Sequence, residues 1–473
     1  MRDEYDLVIL GWGAAAFSAA IRASEITSGQ ASIAMVGFGD LGGTCVNVGC
    51  VPSKYLIEAA KAAFTQRNPR YPGISSTEPV INFGVLMESL RSAVEGERKA
   101  KYVDVISQYD NVDLIEGRAS FTGPGEVLVD GPSGNVRIKG FNFLIATGSS
   151  PAVPNIEGLR DVKYLTSNDV WELRELPKSL AVLGGGAIGL ELGQAFSRLG
   201  SHVTVIEAMP TILPQAEPEV SMALLGSLRE EGIGFELKAR VSKVYEEKGE
   251  KVIRLVTSDG QKEVRADEVL VATGRLPNVL GLNLEAAGVE YSRRGVRVDG
   301  TLRTSNPRVY AAGDVVDQRL MLETLAAREG VTAVENMFEH AELRIDLASI
   351  PWSAFTEPQA ASVGYTEREY SERGGCSCRS IGLASVPKAR LMRESNGLFK
   401  IVVDPRTEKV VGVHVLSPNA AEIIMEGAYA VKHGLTYRDI IDSTHVFPTI
   451  AEGIKLAAQS FIRDVSKMSC CVE

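Results

Sequence analysis

The sequence predicts an α/β protein in which a buried strand, a glycine-rich turn and a helix follow one another twice. Residues 6–11, Asp-Leu-Val-Ile-Leu-Gly, are short, apolar and end in glycine, which is typical of a buried parallel strand. The turn 11–16 then reads Gly-Trp-Gly-Ala-Ala-Ala and leads into an alanine-rich helix. The same order returns at 180–189, where Leu-Ala-Val-Leu precedes Gly-Gly-Gly-Ala-Ile-Gly. Each copy opens a Rossmann unit, so two dinucleotides are expected to bind.

Both turns are suited to a pyrophosphate. Glycine lets the backbone approach the phosphates closely, and the N-terminal end of the following helix favours negative charge. The expected binding positions are Gly11, Gly13 and Ala16 in the first copy and Gly184, Gly186 and Gly189 in the second.

The two copies differ at the residue expected to hold a ribose, an acid at the end of the second strand. In the second copy this residue is Glu207, whose carboxylate would bind both ribose hydroxyls and repel a 2′-phosphate. Residues 208–215 contain no base, so the pattern favours NADH over NADPH. In the first copy Gly37 stands at the acid position, and either Asp40 reaches back or the backbone holds the ribose.

Length and composition exclude several other classes. The 473 residues are enough for about three domains. We expect no membrane span, because no run of about 18 apolar residues occurs, and no signal peptide, because the N-terminus is acidic. A net charge of −10 argues against nucleic acid or an anionic membrane as partner. Six cysteines fit a reducing cytosol, so a cytoplasmic location is expected.

The texture of the chain changes towards its C-terminus. Two apolar strands, at 143–148 and 269–274, end in Ala-Thr-Gly, and each would close a Rossmann sheet. Beyond about residue 346, alternating runs at 400–403 and 410–415 predict an antiparallel sheet. Helical patterns at about 420–433 and 450–465 complete a third, α+β domain.

A cysteine pair lies in the segment 42–54, Gly-Gly-Thr-Cys-Val-Asn-Val-Gly-Cys-Val-Pro-Ser-Lys. One helical turn could bring the sulfurs of Cys45 and Cys50 to disulfide distance. A helix N-terminus lowers the pKa of a thiol, and Lys54 follows one turn later on the same face. The segment therefore predicts a redox-active dithiol.

The same segment matches the redox-active disulfide motif of the flavin disulfide reductases, a family that includes dihydrolipoamide dehydrogenase, glutathione reductase and mercuric reductase. The resemblance extends to Gly-Arg-Leu-Pro-Asn at 274–278 and Ala-Ala-Gly-Asp at 311–314. It implies FAD in the first Rossmann unit, a nicotinamide in the second and a C-terminal dimerisation domain. The implied domains are the first part of the FAD-binding domain (1–150), the NAD(P)-binding domain (151–274), the second part of the FAD-binding domain (275–345) and the interface domain (346–473).

The resemblance also implies roles for individual residues. Cys50 would face the flavin, and Cys45 would be the exposed sulfur that exchanges. Lys54 would lie near flavin N5 and pair with Glu191, while Asp314 would bind the ribityl chain of FAD. The other cofactor-binding positions that it implies are Gly43, Thr44, Thr147, Gly148, Gly274 and Gly313.

One departure from the family pattern indicates the substrate. Thiol-substrate reductases carry a His-Pro-Thr motif with a glutamate beyond it, and the histidine moves a proton. Residues 444–452 read Thr-His-Val-Phe-Pro-Thr-Ile-Ala-Glu, so Phe447 replaces that histidine. We interpret His445, two residues away, as structural. Loss of the base favours a substrate that binds thiolates without proton shuttling.

A soft metal ion is such a substrate, because thiolates prefer soft cations. The tail 467–473, Lys-Met-Ser-Cys-Cys-Val-Glu, resembles the vicinal-cysteine tail of mercuric reductase. The resemblance implies a homodimer in which Cys470 and Cys471 of one subunit take Hg(II) from small thiols and pass it to Cys45 and Cys50 of the other. All four cysteines would ligate the metal, and NAD(P)H would reduce it to Hg(0) through FAD.

Other interpretations remain open. The tyrosines that help to line the metal site of mercuric reductases would fall at Phe447 and near Thr324, and neither is tyrosine. A dithiol or disulfide oxidoreductase, such as dihydrolipoamide dehydrogenase or thioredoxin reductase, is the first alternative, and a non-enzymatic FAD- and NAD-binding sensor is the second. Cys376 and Cys378 are expected in a surface loop, for which absence of function is favoured over an auxiliary metal site.

Overall fold

The computed structural model describes residues 2–318 and 320–469. Within them, no helix is both long enough and apolar enough to cross a membrane. Two compact units contain the described parts of 1–53, 85–152 and 274–345, and of 54–84, 153–273 and 346–473. The domain limits inferred from the sequence stay a prediction.

The strands are numbered in chain order. They are β1 (Glu4–Leu10), β2 (Ile33–Gly37), β3 (Val112–Glu116), β4 (Arg118–Gly123), β5 (Glu126–Gly131), β6 (Gly134–Ile145), β7 (Ser149–Pro151), β8 (Ser179–Leu183), β9 (His202–Glu207), β10 (Gly234–Leu237), β11 (Arg240–Glu247), β12 (Glu250–Thr257), β13 (Gly260–Ala266), β14 (Glu268–Val271), β15 (Arg275–Pro277), β16 (Tyr291–Ser292), β17 (Gly295–Val296), β18 (Val309–Ala311), β19 (Trp352–Ala354), β20 (Gln359–Gly364), β21 (Ser377–Gly382), β22 (Leu398–Val403) and β23 (Val410–Ser417).

The α-helices are α1 (Ala14–Ile26), α2 (Gly43–Val48), α3 (Cys50–Arg67), α4 (Phe83–Arg98), α5 (Asp104–Ile106), α6 (Ala187–Leu199), α7 (Pro218–Glu230), α8 (Glu323–Phe338), α9 (Glu367–Ser371), α10 (Pro387–Met392), α11 (Ala420–His433), α12 (Tyr437–Asp442) and α13 (Glu452–Gln459). A π-helical turn, Lys99–Val103, joins α4 to α5.

The first unit is built on a parallel sheet in the order β3-β2-β1-β6, with β18 parallel to β6 and with β5 and β4 added antiparallel. Apolar side chains fill both faces of this sheet, as expected for a parallel sheet. On one face α1 packs so closely on α8 that a side chain at Gly330 would clash with the carbonyl oxygen of Ala15. Small residues on α1 make this approach possible: Ala15, Ala16, Ala19, Ala20 and Ala23 are all buried.

The second unit contains two further architectures. One sheet is parallel, in the order β10-β9-β8-β14, and α6 follows β8 in the chain. Between β10 and β14 in the chain, the strands β11, β12 and β13 form a separate antiparallel sheet. The C-terminal part forms the predicted antiparallel sheet, in the order β19-β20-β23-β22-β21. The helix predicted at 420–433 is α11, with the same limits.

The last predicted helix is shorter than the pattern suggested. It was expected over about 450–465, and α13 spans Glu452–Gln459. After its end, the amides of Phe461 and Ile462 bond to carbonyls three residues back. These tighter bonds end the α-helical ladder.

Candidate active site

The first glycine of each turn is fixed by the strand beside it. Gly11 has φ +124°, and a Cβ there would clash with the carbonyl oxygen of Ala146. Gly184 has φ +115°, and a Cβ there would clash with the carbonyl oxygen of Ala272. Each alanine belongs to an Ala-Thr-Gly loop. In both copies, the first glycine of the turn packs against the backbone of an Ala-Thr-Gly loop, and this position accepts only glycine.

The second glycine of each turn has space around it. A Cβ on Gly13 would meet only the Cα of Gly43, at 3.8 Å, and a Cβ on Gly186 would meet nothing within 4 Å. These glycines precede α1 and α6, and within the described chain neither helix has a side chain hydrogen-bonded to its N-terminus. The helix N-termini and the open space at Gly13 and Gly186 fit the pyrophosphates of FAD and of a nicotinamide dinucleotide.

The predicted ribose acid of the second turn lies where it was expected. Glu207 ends β9, and its carboxylate accepts hydrogen bonds from the amides of Gly185, at 2.7 Å, and Met209, at 2.8 Å. The acid is therefore held beside the glycine turn by two backbone amides, and its contact with a ribose stays a prediction.

The first glycine turn has no acid at the position expected to bind a ribose. Gly37 ends β2, and a Cβ there would lie 2.5 Å from the indole ring of Trp12, so the ring occupies the space of the missing side chain. Asp40 pairs with Arg98, with 2.6 Å between carboxylate and guanidinium. Of the two alternatives for the ribose, this pairing favours the backbone. The glycine motif gave no signal for the indole, because its middle position accepts any residue.

The cysteine pair lies at a break between two helices. Cys45 belongs to α2 and Cys50 begins α3, whereas the sequence suggested one helical turn. The break falls at Gly49, where a Cβ would lie 2.9 Å from the carbonyl oxygen of Thr44. The Cys45 thiol is hydrogen-bonded to the Cys50 side chain, so the two sulfurs lie next to each other.

The prediction that a helix N-terminus lowers the thiol pKa is wrong for Cys45. Its pKa is raised, first by the hydrogen bond to Cys50, then by burial and by the negative charge of Glu323. Among protein atoms alone Cys45 is half-buried and Cys50 is exposed, the reverse of the implied order. Which sulfur exchanges with substrate stays a prediction.

Tyr102, which the sequence analysis did not identify, interacts electrostatically with both cysteines. Tyr102 comes from the π-helical turn after α4 and packs edge-on against Phe17, with 4.9 Å between ring centroids. Burial raises the pKa of Tyr102 to about 12, and negative charge on Cys45, Glu323 and Cys50 adds to the shift. It is therefore a neutral phenol. Tyr102 belongs to no sequence motif. The only feature that distinguishes its position is the π-helical turn in which it lies.

A hydrogen-bonded network in the first unit includes Asp314. Its carboxylate accepts a 2.6 Å hydrogen bond from the hydroxyl of Ser149. Arg275 donates to the same hydroxyl and to the carbonyl of Ser149, both at 2.7 Å, and its guanidinium lies 3.4 Å from the hydroxyl of Thr44. Thr44 and Asp314 are thus linked through Arg275 and Ser149, which directly follow the predicted positions Gly274 and Gly148.

Two more contacts fix these loops. Asn278 donates to the carbonyl of Thr147 at 2.9 Å and accepts at its own carbonyl from the Thr147 hydroxyl at 2.8 Å. The buried Glu329 accepts from the amide of Gly313 at 2.6 Å. Burial raises the pKa of Glu329 to about 7. Sequence reasoning missed this carboxylate because it lies in the middle of α8, outside any motif.

In the second unit the ion pair implied by the resemblance is present. The ammonium group of Lys54 lies 2.8 Å from one carboxylate oxygen of Glu191, whose other oxygen accepts from the amide of Phe355 at 2.8 Å. The Lys54 ammonium also lies over the Phe355 ring, 4.2 Å from its centroid. The buried Glu191 therefore fixes the position of a lysine one turn after Cys50 on α3.

Phe447, at the position of the family histidine, and the nearby His445 lie in the C-terminal part of the second unit. Phe447 is half exposed, and His445 pairs with Glu426, with 2.9 Å between ring nitrogen and carboxylate. That hydrogen bond raises the pKa of His445. Glu452, the first residue of α13, accepts a hydrogen bond from the amide of Thr449. His445 and Glu452 are each engaged in local structure.

The tail cysteines, Cys470 and Cys471, lie outside the described residues. The predicted delivery of Hg(II) by the tail therefore has no structural counterpart here and stays a prediction.

Comparison with known proteins agrees with this architecture. The sequence pattern described as pyridine nucleotide-disulphide oxidoreductase matches residues 5–330, and that of the dimerisation domain of the same family matches 350–458. The chain belongs to the pyridine nucleotide-disulphide oxidoreductase family.

Within this family the chain is similar to mercuric reductases. It is 42% identical to the mercuric reductase of Staphylococcus aureus, covering 99% of this chain and 84% of the relative. It is 41% identical to that of Streptomyces lividans, covering 99% and 98%. Among solved structures, the Cu(II) complex of the HOCl-induced flavoprotein disulfide reductase RclA from Escherichia coli superposes with a TM-score of 0.85 at 26% identity, over 98% of this chain and 100% of that one.

Proposed function

We propose that this protein reduces Hg(II) to Hg(0) with NADH or NADPH, using FAD and the cysteine pair Cys45 and Cys50. The observation that carries the proposal is the direct hydrogen bond between the two thiols, next in sequence to Thr44, which Arg275 joins to the Asp314 loops. When bound, FAD supplies a two-electron carrier between the nicotinamide and the sulfur pair.

The chemistry at the two sulfurs is ligand exchange. Hg(II) is the softest common substrate for such a pair, and two thiols binding it release two protons. NAD(P)H then supplies two electrons, giving Hg(0), NAD(P)⁺ and one proton. Since the pKa of Cys45 is raised, capture of Hg(II) is expected to accelerate as pH rises.

The substituted base supports Hg(II) over a disulfide. A disulfide substrate needs a proton donor for the leaving thiol, and Phe447 cannot serve. His445 is held by Glu426, 2.9 Å away. A metal ion leaves as the element and needs no proton. The distinguishing result is therefore a comparison of substrates on one enzyme preparation.

Hg(II) with excess thiol is expected to drive NAD(P)H oxidation, while lipoamide and thioredoxin are expected to drive little. Absorbance of the nicotinamide and release of mercury vapour measure the two halves of the reaction. Turnover with a disulfide but none with Hg(II) would instead identify a disulfide reductase.

The C-terminal pair is proposed to deliver the metal. Replacing both Cys470 and Cys471 by alanine should slow turnover of thiol-complexed Hg(II), because the metal then loses a two-sulfur intermediate carrier. Steady-state kinetics at low Hg(II) concentration measure this, with Cys376→Ser as a matched loss of one cysteine elsewhere. Kinetics equal to those of the unaltered protein would remove the tail from the mechanism.

The nicotinamide is proposed to be NADH. Glu207 lies over the second glycine turn, bound to two backbone amides, where its charge opposes a 2′-phosphate. We expect a higher kcat/KM for NADH, and Glu207→Gln should raise kcat/KM for NADPH relative to NADH. A large NADPH preference in the unaltered protein would contradict the role of the carboxylate.

The dimerisation-domain match indicates a homodimer. Small thiols as carriers of Hg(II), active sites shared between subunits and a cytoplasmic location complete the proposal. They are supported by the family resemblance of the tail and by the cysteine content.

A further inference from the structure

A second cysteine pair lies in the C-terminal part of the second unit. Cys376 precedes β21 and Cys378 is its second residue, so alternate residues of an extended segment place both side chains on one side. Their sulfur atoms are 3.0 Å apart. Both residues are half-buried, whereas the sequence favoured an exposed loop.

A carboxylate completes a three-donor cluster with this pair. Glu367 is the first residue of α9, and its carboxylate oxygen and the two sulfurs all lie within 4.8 Å of one another. The Cys376 sulfur also lies 3.2 Å from the hydroxyl of Ser371 at the end of the same helix. The donors thus come from α9, from β21 and from the short segment that connects them.

The charges around Glu367 favour a cation. Lys400 is buried, and its ammonium lies 2.7 Å from Glu367, 2.7 Å from Glu219 and 3.1 Å from Glu217. One positive charge therefore faces three carboxylates. The ammonium orients the Glu367 carboxylate, and the excess of negative charge would stabilise a metal ion next to it.

We propose that Cys376, Cys378 and Glu367 form an auxiliary site for a thiophilic divalent cation that prefers tetrahedral coordination, of the Zn(II) and Cd(II) type. Thiolate sulfur and carboxylate oxygen are both ligands that such ions take, and since Glu367 is exposed, water can supply a fourth ligand. The site is separate in sequence and in chemistry from Cys45 and Cys50, and it does not depend on the proposed reduction of Hg(II).

The sulfur spacing selects the geometry. With a metal–sulfur distance of about 2.3 Å, a tetrahedral angle places two sulfurs roughly 3.8 Å apart, whereas a linear arrangement places them roughly 4.6 Å apart. The two sulfurs are 3.0 Å apart, so a tetrahedral ion requires a smaller increase in the sulfur–sulfur distance than a linear one. A small rotation of each cysteine side chain provides it, while a linear ion would require both to swing apart.

Binding should be coupled to pH and to stability. Such ions are bound by thiolates and not by thiols, so a bound cation displaces protons from the two cysteines and its affinity rises with pH. The ion would also cross-link α9 to β21 and so raise the melting temperature.

The test uses the full chain with Cys45, Cys50, Cys470 and Cys471 replaced by serine, kept reduced with a phosphine. Titration with Cd(II), followed by sulfur-to-metal charge-transfer absorbance, should show one equivalent bound. Adding Cys376→Ser and Cys378→Ser should abolish that absorbance. Glu367→Gln should weaken binding by about tenfold or more. Ser377→Ala, between the two cysteines, should leave it unchanged.

Folding is checked independently. Cys376→Ser with Cys378→Ser, introduced into the otherwise unaltered enzyme, should retain NAD(P)H oxidation with Hg(II) but lose the Zn(II)-dependent rise in melting temperature. The proposal is overturned if the reduced protein binds no equivalent of Cd(II), or if the equivalent survives loss of both cysteines. It is also overturned if the pair is isolated as a disulfide whose reduction restores no metal binding.

Discussion

Replacing Cys50 by alanine is expected to abolish Hg(II)-dependent oxidation of NAD(P)H, with kcat falling by about three orders of magnitude or more, as for loss of a reacting group. One sulfur cannot hold a metal that requires two, and Cys45 loses its hydrogen-bonded partner. The same change has a second, independent consequence. Because the bond to Cys50 is the largest cause of the raised pKa of Cys45, that pKa should fall in the variant.

The fall in pKa is measured as the pH dependence of alkylation at Cys45, with the other cysteines replaced by serine. Burial and the charge of Glu323 remain in the variant, so the pKa should stay above its ordinary value. Cys378→Ser, a matched loss of one cysteine from the second unit, should leave kcat with Hg(II) unchanged. Full turnover in Cys50→Ala would show that the reaction uses other groups, whereas loss of turnover with retained biological activity would favour a role as a sensor.

The parts of the site that could be predicted share one property: each is specified by neighbours in sequence. The glycine turns, Glu207 and the segment 42–54 each place chemistry next to a strand or helix end, so a short pattern contains the geometry. The pairing of Lys54 with Glu191 is different, because the two residues are 137 positions apart. Only the family resemblance could predict it, and the structure forms it at 2.8 Å.

The features that could not be predicted arise from packing between distant segments. The raised pKa of Cys45 depends on burial and on Glu323, which is brought near by the fold. Tyr102 depends on a local π-helical turn, and the glycine at position 37 depends on the ring of Trp12. No spacing of residues in the sequence predicts these features, because each depends on which secondary-structure elements pack against one another.

Two single substitutions in the first glycine turn are expected to distinguish its role in folding from its role in cofactor binding. Gly11→Ala should destabilise the first unit by on the order of 3 kcal/mol, because alanine is strained at φ +124° and its Cβ would overlap the carbonyl oxygen of Ala146. Ala146 cannot withdraw easily, since its amide bonds to the carbonyl of Leu10 at 2.8 Å within the sheet.

Gly13→Ala should behave in the opposite way. The φ of Gly13 is −89°, which alanine adopts without strain, and its Cβ would make only an ordinary 3.8 Å contact with Gly43. The folded apoprotein should melt close to the unaltered protein, yet the added methyl group narrows the cradle expected to hold the FAD pyrophosphate. We expect FAD affinity to fall at least about tenfold, or roughly 1.4 kcal/mol. Thermal unfolding of the apoprotein and quenching of flavin fluorescence measure the two effects separately.

The second turn supplies the matching control, because Gly184 is as confined as Gly11 and Gly186 is even more open than Gly13. Gly186→Ala should therefore leave stability and FAD content unchanged and raise the KM for the nicotinamide. If Gly13→Ala and Gly186→Ala both bound their dinucleotides normally, the pyrophosphates would not lie in these cradles. Opposite losses, FAD in one variant and nicotinamide in the other, would assign each dinucleotide to its turn without requiring turnover of Hg(II).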